Sequence, residues 1–285
     1  MSASCVTPKI NYVIATHALA YKNRTRTDPY SQYVLRYNMY ILSKLLTPES
    51  FVRQITIVAP EVVDDLGYYY NISPYDTIIK EKGIDIVVLP VKNQGISYTQ
   101  YIRCFQKFNN EFDYHIIMED DWTLNLEYVS FDKLLVEYYT KRFPKELGFL
   151  DCWSPSYPNR FVGSNGGFGG PFHSAITLGI LNKSSISKLL EVLPETDIDN
   201  LNQLAFSYTM TNNGINICDL STAGFPNRIL FWETYTGEIK DYSDKRDVGT
   251  PLYVPVQYYY DSIKYKNMTT WAIYTVTNSF GIHTV

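Results

Sequence analysis

The chain has 285 residues, of which 45% are hydrophobic, and its formal net charge at pH 7 is −4. This length suits one large domain, and the apolar fraction is too high for a disordered chain. A slightly acidic chain lacks the excess of basic residues that is typical of nucleic-acid-binding domains, so we expect no nucleic-acid partner. The longest apolar runs are far shorter than a membrane span, which predicts no transmembrane segment.

The four cysteines, Cys5, Cys104, Cys152 and Cys218, are widely spaced and form no CxxC pair. A structural zinc site is therefore not expected, and reduced, buried thiols are the simplest interpretation. The N-terminal segment lacks the basic start and apolar core of a signal peptide. We therefore expect a cytoplasmic protein, located in the host cytoplasm if the gene is viral.

The first part of the chain alternates apolar runs with segments of helical spacing. The apolar runs predict strands over 10–16, 54–59, 84–89 and 114–118. The helical spacing predicts a helix over 31–46 and another over 98–108, the second with Ser97 as its N-cap. This order predicts an α/β fold with a mostly parallel central sheet, flanked by helices and connected by right-handed crossovers.

The pattern beyond residue 122 is less regular. It predicts helices over 126–143, 184–193 and 199–212, and strands over 147–153, 173–181 and 215–220. From residue 223 the chain is rich in aromatic residues and turns, which predicts an irregular C-terminal region. Because no clean linker is visible, we predict one domain over 1–285, composed of two halves (1–122 and 123–222) and an extension (223–285).

Three consecutive acids, Glu119, Asp120 and Asp121, follow the predicted strand over 114–118 and precede Trp122. In open α/β sheets, ligands bind outside the carboxyl ends of the strands. Carboxylate oxygens there suit Mg²⁺ or Mn²⁺, and these ions take further oxygens from substrate phosphates. The motif therefore suggests a metal–phosphate enzyme. The alternative is an acidic turn in water, with Asp120 or Asp121 capping a following helix.

This order of elements and the position of the acids resemble the GT-A (Rossmann-like) fold of nucleotide-sugar-dependent glycosyltransferases, over about residues 10–220. In that family an Asp-x-Asp motif holds Mn²⁺ or Mg²⁺, and the metal holds the diphosphate of the sugar nucleotide. The matching tripeptide here is Glu119-Asp120-Asp121, which departs from the family pattern at its first residue. The resemblance implies Asp121 as a direct metal ligand, with Glu119 and Asp120 beside the metal, the ribose or the sugar.

The resemblance also implies an activity. It predicts a metal-dependent glycosyltransferase that moves a sugar from a nucleotide sugar, by default a UDP-sugar, to a hydroxyl of a glycan or glycoprotein. The metal would neutralise the charge that develops on the leaving diphosphate. The half over 1–122 would bind the nucleotide sugar, and the half over 123–222 would face the acceptor. We expect inversion, because a candidate carboxylate base is present.

Several further residues fall where this family binds its donor. They are Thr16, His17, Arg24, Arg26, Ser97 and Arg103. The resemblance places Thr16 and His17 beside the base or ribose, and Arg24 and Arg26 within reach of the phosphates. Solvated loop charges are the alternative for Arg24 and Arg26, and a surface ion pair is the alternative for Arg103.

The acceptor side is represented by a glycine-rich loop over 163–171. It resembles the small-residue loop at the family's donor–acceptor junction, where Gly167 and Gly169 would allow close approach of a sugar and Phe168 would stack on it. His173 follows this loop and would contact acceptor or phosphate. Asp151, at the end of the strand over 147–153, would bind acceptor hydroxyls.

The resemblance also implies a catalytic base and one more metal ligand. Inverting members place a carboxylate base after the glycine loop, at the start of a helix, where Asp197 and Asp199 fall here. Helix capping by Asp199 is the alternative interpretation. The family often takes a late histidine as a metal ligand, which here is His283, and disorder of the last residues is the alternative.

Two other classes of function remain open. A nucleotidyltransferase also combines acids, a metal and a nucleotide, but it is expected to have a glycine-rich, basic loop after the first strand, and residues 17–30 contain no glycine. The second alternative is a non-catalytic glycan-binding protein with the same fold.

Overall fold

The structure is a computed structural model. It describes residues 7–16, 29–60, 72–92, 97–120, 122–152, 178–199, 201, 203–220, 223–225, 230–233, 238–241 and 252–255. No helix in these ranges has both the length and the apolar character needed to cross a lipid bilayer. Cys104, Cys152 and Cys218 are free and buried, which confirms the expectation for these three thiols.

The described ranges contain eleven strands and seven helices. The strands are β1 (Ile10–Ala15), β2 (Val52–Pro60), β3 (Asp85–Val91), β4 (Tyr114–Glu119), β5 (Trp122–Leu124), β6 (Gly148–Asp151), β7 (Leu178–Asn182), β8 (Asn216–Asp219), β9 (Leu230–Glu233), β10 (Glu238–Asp241) and β11 (Tyr253–Pro255). The helices are α1 (Pro29–Leu45), α2 (Tyr75–Lys80), α3 (Ser97–Phe108), α4 (Phe131–Arg142), α5 (Lys183–Val192), α6 (Glu195–Ile198) and α7 (Gln203–Asn212).

Seven of the strands form one sheet in the order β3-β2-β1-β4-β7-β6-β8. The pairs β1–β2, β2–β3, β1–β4 and β6–β8 are parallel, while β7 runs antiparallel to both β4 and β6. The predicted α/β class, with a mostly parallel central sheet flanked by helices, is confirmed. In the described part of the C-terminal region, β9 pairs with β10, and β11 pairs with β5.

Helices cover both faces of the sheet, because alternate residues of a strand point to opposite faces. Ile10, Tyr12 and Ile14 of β1 join a core on the face that α1, α2 and α4 cover. Val13 and Ala15 join a second core on the face that α3, α5 and α7 cover. All six residues of β1 are buried, as expected for a central parallel strand.

The order of the strands reverses between β1 and β4. The chain passes from β1 to β2 and β3 on one side, and then returns to β4 on the other side of β1. Both strands are parallel and end at the same level, because Ala15 is in register with Glu119. In open α/β sheets a ligand crevice forms outside such a reversal. The three-acid motif therefore begins at the switch point of this sheet.

Two predicted helix starts are wrong. The helix predicted over 199–212 begins at Gln203, and Asp199 follows the end of a separate short helix, α6, with a right-handed helical backbone (φ −73°, ψ −10°) instead of opening a helix. Pro194, with its fixed backbone angle, starts α6 early. The helix predicted from residue 126 begins at Phe131, because residues 122–124 form β5 and pair with β11. Since a strand follows the acids, they do not cap a helix.

Candidate functional site

The ends of β1 and β4 are bonded together at the carboxyl edge of the sheet. The backbone N–H of Asp120 donates to the carbonyl of Ala15 at 3.0 Å, and the N–H of Thr16 donates to the carbonyl of Val58 at 3.0 Å. The backbone groups at this edge are therefore paired, and the residues that leave the sheet here start from fixed positions.

Asp120 is buried, with 5% of its surface exposed, and it links three elements. Its Oδ2 accepts a hydrogen bond from Thr16 Oγ1 at 2.7 Å, and its carbonyl accepts one from Asn38 Nδ2 on α1 at 2.7 Å. Hydrogen bonds to a carboxylate are stronger than neutral ones, so this contact holds Thr16 against the end of β4. Thr16 and Asp120, both predicted donor-site residues, are thus in direct contact.

Glu119 lies against the first residue of α3. The hydroxyl of Ser97 donates a hydrogen bond to Glu119 Oε1. The N-terminal end of a helix carries a partial positive charge, which favours a carboxylate beside it. The predicted N-cap residue therefore also contacts the acid motif, and α3 begins at the crevice between β1 and β4.

Tyr98, the next residue of α3, lies in the field of two acids. Burial raises the pKa of its phenol, and the negative charges of Glu119 and Asp151 raise that pKa further. Asp151, at the end of β6, has 1% of its surface exposed. The phenol therefore stays protonated, and it is close enough to the acid of β4 and the acid of β6 to be affected by both charges.

Asp219 is an acid that sequence reasoning missed. It ends β8 and lies in register with Asp151, the end of the neighbouring parallel strand, and only 6% of its surface is exposed. The carboxyl edge of the described sheet thus carries acids on three strands. Both strands were predicted to end near these acids, so a comparison of their ends would have identified Asp219.

The two candidate bases lie on the segment that contains α6, which is attached to α3. Thr99 Oγ1 donates to the carbonyl of Ile198 at 2.7 Å. Arg103 forms ion pairs with Glu195 and with Asp199, the second at 3.1 Å between Nη2 and Oδ1. The ion pair, which was the alternative interpretation of Arg103, is therefore present. Asp197 is exposed, and its Oδ1 accepts a hydrogen bond from Thr196.

The remaining predicted site residues lie outside the described ranges. They are His17, Arg24, Arg26, Asp121, Gly167, Phe168, Gly169, His173 and His283. Within the described ranges, no group of three or more His, Cys, Asp or Glu residues is arranged to hold a metal ion. The carboxylates of Glu119 and Asp120 supply the hard oxygen donors that Mg²⁺ and Mn²⁺ prefer, so the chemistry of this edge fits such an ion. The metal site remains a prediction.

Comparison with known proteins gives similarity to solved structures only. No family model matches the chain, and no curated protein matches it. One similar structure is a protein from Bacillus anthracis described as a glucose-1-phosphate thymidylyltransferase, in complex with sucrose (TM-score 0.45, 11% identity, 74% of this chain and 87% of that chain). Another is a cytidylyltransferase from Leptospira borgpetersenii (TM-score 0.44, 12% identity, 98% of each chain). Similarity this low transfers no activity to the present chain.

Proposed function

We propose that the protein is a metal-dependent glycosyltransferase that moves a sugar from a nucleotide sugar, by default a UDP-sugar, to a hydroxyl of a glycan or glycoprotein. The observation that carries the proposal is the convergence of Thr16, Ser97, Glu119 and Asp120 at the switch point of the sheet. A metal–diphosphate group is the ligand that best matches acidic side chains in such a crevice.

Each part of this edge has a distinct task in the proposed reaction. Glu119 and Asp121 would hold Mn²⁺ or Mg²⁺, which supplies charge stabilisation to the leaving diphosphate. Asp120 and Thr16 would keep the ends of β1 and β4 at a fixed separation, since their side chains are bonded at 2.7 Å. Ser97 would orient the carboxylate of Glu119. A preorganised acidic edge needs little rearrangement when charge develops.

The acceptor would bind on the far side of β4, where β6 and β8 end. Asp151 and Asp219 are buried carboxylates that can accept hydrogen bonds from sugar hydroxyls. A general base must lie within hydrogen-bond reach of the hydroxyl that attacks. Asp197 is exposed and stays our candidate for that base, together with Asp199, whose carboxylate must leave Arg103 to serve.

A donor-hydrolysis screen tests the proposal. The protein is incubated with each common nucleotide sugar and Mn²⁺, and the released nucleoside diphosphate is measured with and without EDTA. We expect release from one donor, lost on chelation. A glycan-binding protein without activity would instead be stabilised by free sugar and would not respond to UDP with Mn²⁺.

The acid motif is tested by Asp121→Ala, with Glu127→Ala as the matched control. Glu127 is exposed and lies six residues further along the chain. We expect Asp121→Ala to abolish release while the circular dichroism spectrum is unchanged, and Glu127→Ala to retain full activity. If Asp121→Ala hydrolyses the donor at the wild-type rate, the metal assignment is wrong.

Nucleotidyl transfer is the second candidate, and it is the activity for which both solved structures above are named. It needs the same nucleotide and metal at the same edge, so the product distinguishes the two reactions. With a sugar 1-phosphate and a nucleoside triphosphate, a nucleotidyltransferase releases pyrophosphate and forms a nucleotide sugar. Release of pyrophosphate without turnover of any nucleotide sugar would replace the first candidate by the second.

A further inference from the structure

A second side chain of α3, Gln100, faces the same edge as Ser97. Residues three apart on a helix lie on one face, so Gln100 follows Ser97 along the sheet. Its Nε2 donates a hydrogen bond to the carbonyl of Thr16 at 3.0 Å. The amide of Gln100 therefore lies at the end of β1, one strand away from the acids of β4.

The carbonyl oxygen of this amide has no hydrogen-bond partner among the residues that the structure describes. Gln100 has only 2% of its surface exposed, and its Oε1 is a buried acceptor that no group of the described residues satisfies. The orientation of the amide is fixed, because the carbonyl of Thr16 can only accept a hydrogen bond. Nε2 of Gln100 must therefore face Thr16, which leaves Oε1 on the opposite side. A buried acceptor without a donor is costly and rare in folded proteins. This one therefore calls for a donor that the described part of the chain does not supply.

We propose that Gln100 Oε1 accepts a hydrogen bond from the nucleoside part of the bound nucleotide. The inference rests on the proposed function. A carbonyl oxygen repels the oxygens of a diphosphate, so the phosphates belong with the metal at β4. The transferred sugar belongs on the other side of β4, towards Asp151 and Asp219. The nucleoside then lies over the end of β1, about 5 Å from β4, where its ribose hydroxyls or its base N–H can donate.

The test compares three proteins by calorimetric titration with UDP in the presence of Mn²⁺. Gln100→Met keeps the length of the side chain and removes the acceptor together with the N–H that bonds Thr16, so the nucleotide analogues described below isolate the role of the acceptor. Gln106→Met, on the same helix, is the matched control, because the amide of Gln106 contacts Glu195 instead of the crevice. We expect the Kd of UDP to rise about tenfold for Gln100→Met, the effect of one lost hydrogen bond, and to stay unchanged for Gln106→Met.

UDP analogues then identify the donor group. The 2′-deoxy, 3′-deoxy and N3-methyl forms each remove one candidate donor. We expect one of them to bind the wild-type protein about tenfold more weakly than UDP, and to bind Gln100→Met as well as UDP does. The wild-type measurements stand even if Gln100→Met fails to fold, which circular dichroism reports. Equal affinity of the wild-type protein for all three analogues and UDP would overturn the inference.

The remaining outcomes distinguish this inference from the proposed function. If Gln100→Met binds UDP as the wild-type protein does, a buried water satisfies the amide and the inference fails, while the proposed function stands. If the wild-type protein binds no UDP in the presence of Mn²⁺, the inference fails together with the UDP assignment. The donor-hydrolysis screen then decides whether the proposed activity itself fails.

Discussion

His115 gives the most direct test of how the core responds to pH. It lies in β4 with none of its surface exposed, between the rings of Phe105 and Phe112, which meet it edge-on at centroid distances of 5.3 and 5.8 Å. Its Nδ1 lies 3.4 Å from Asn11 Nδ2, so an amide N–H faces this nitrogen. Burial lowers the pKa of His115 to about 3. The folded protein therefore keeps this ring neutral at all ordinary pH values.

The unfolded chain binds a proton at His115 at pH values at which the folded protein does not. The pKa of an unperturbed histidine is about 6.5, so the unfolded state binds one more proton between that pH and about 3. Stability is then lost as the pH falls through this window, at up to about 1.4 kcal/mol per pH unit. Between pH 7 and pH 4.5 the loss from this one residue amounts to about 2.5 kcal/mol in the free energy of unfolding.

Urea unfolding of the wild-type protein and of His115→Asn, measured at several pH values, checks this number. Asparagine keeps an acceptor for Asn11 and does not titrate, so all other titrating groups are common to the two proteins. At pH 7 we expect the variant to be less stable by roughly 1–2 kcal/mol, because it packs less well between the two rings. By pH 4.5 this difference should vanish or reverse. Parallel stability curves would show that His115 titrates normally in the folded state.

Substitutions at three further positions test local features. Ser97→Ala removes the hydroxyl that orients the acid at the end of β4, so donor hydrolysis should fall about tenfold in kcat/KM, and the lost hydrogen bond should cost about 1 kcal/mol in the free energy of unfolding. Gly179→Ala would place a Cβ 2.3 Å from the ring of Phe149 in β6, and urea unfolding should show a loss of roughly 1–3 kcal/mol or no folding. Asn182→Ala removes the cap that accepts from the N–H of Ser185 at 2.8 Å, which should cost about 1 kcal/mol, and Asn182→Ser should recover most of it.

The sequence was sufficient to predict the elements that one local pattern defines. The strands β1 to β4 are continuous apolar runs, and the helices α1 and α3 repeat their apolar residues at helical spacing, so these elements were found within a few residues. The pairing of β5 with β11 joins three-residue segments that are separated by more than 120 residues. No local pattern encodes such a contact. The short helix α2 was missed for a similar reason, because six residues are too few to establish a period.

The same distinction between local patterns and contacts distant in sequence applies to the candidate site. The acids at the end of β4 were predicted, because strand ends define where ligands bind in this class of fold. Thr16 and Ser97 were predicted as donor-site residues too, but not their contacts with Asp120 and Glu119, which join residues 104 and 22 positions apart. Asp219 also ends a predicted strand, so a comparison of strand ends could have found it, but its register with Asp151 is supplied only by the completed sheet.

The contacts of the acids explain why the motif places them side by side. Adjacent carboxylates repel one another, yet the first two each have a dedicated donor: Ser97 at the positive end of α3 for Glu119, and Thr16 for Asp120. The hydroxyls of Ser97 and Thr16 are neutral donors that add no positive charge, so under the proposed function the two carboxylates contribute a negative potential at this edge of the sheet. That potential would repel a bare diphosphate and attract one that carries a dication. Under the proposed function, the same residues that hold β1, β4 and α3 together would therefore favour a metal–nucleotide complex over the free nucleotide.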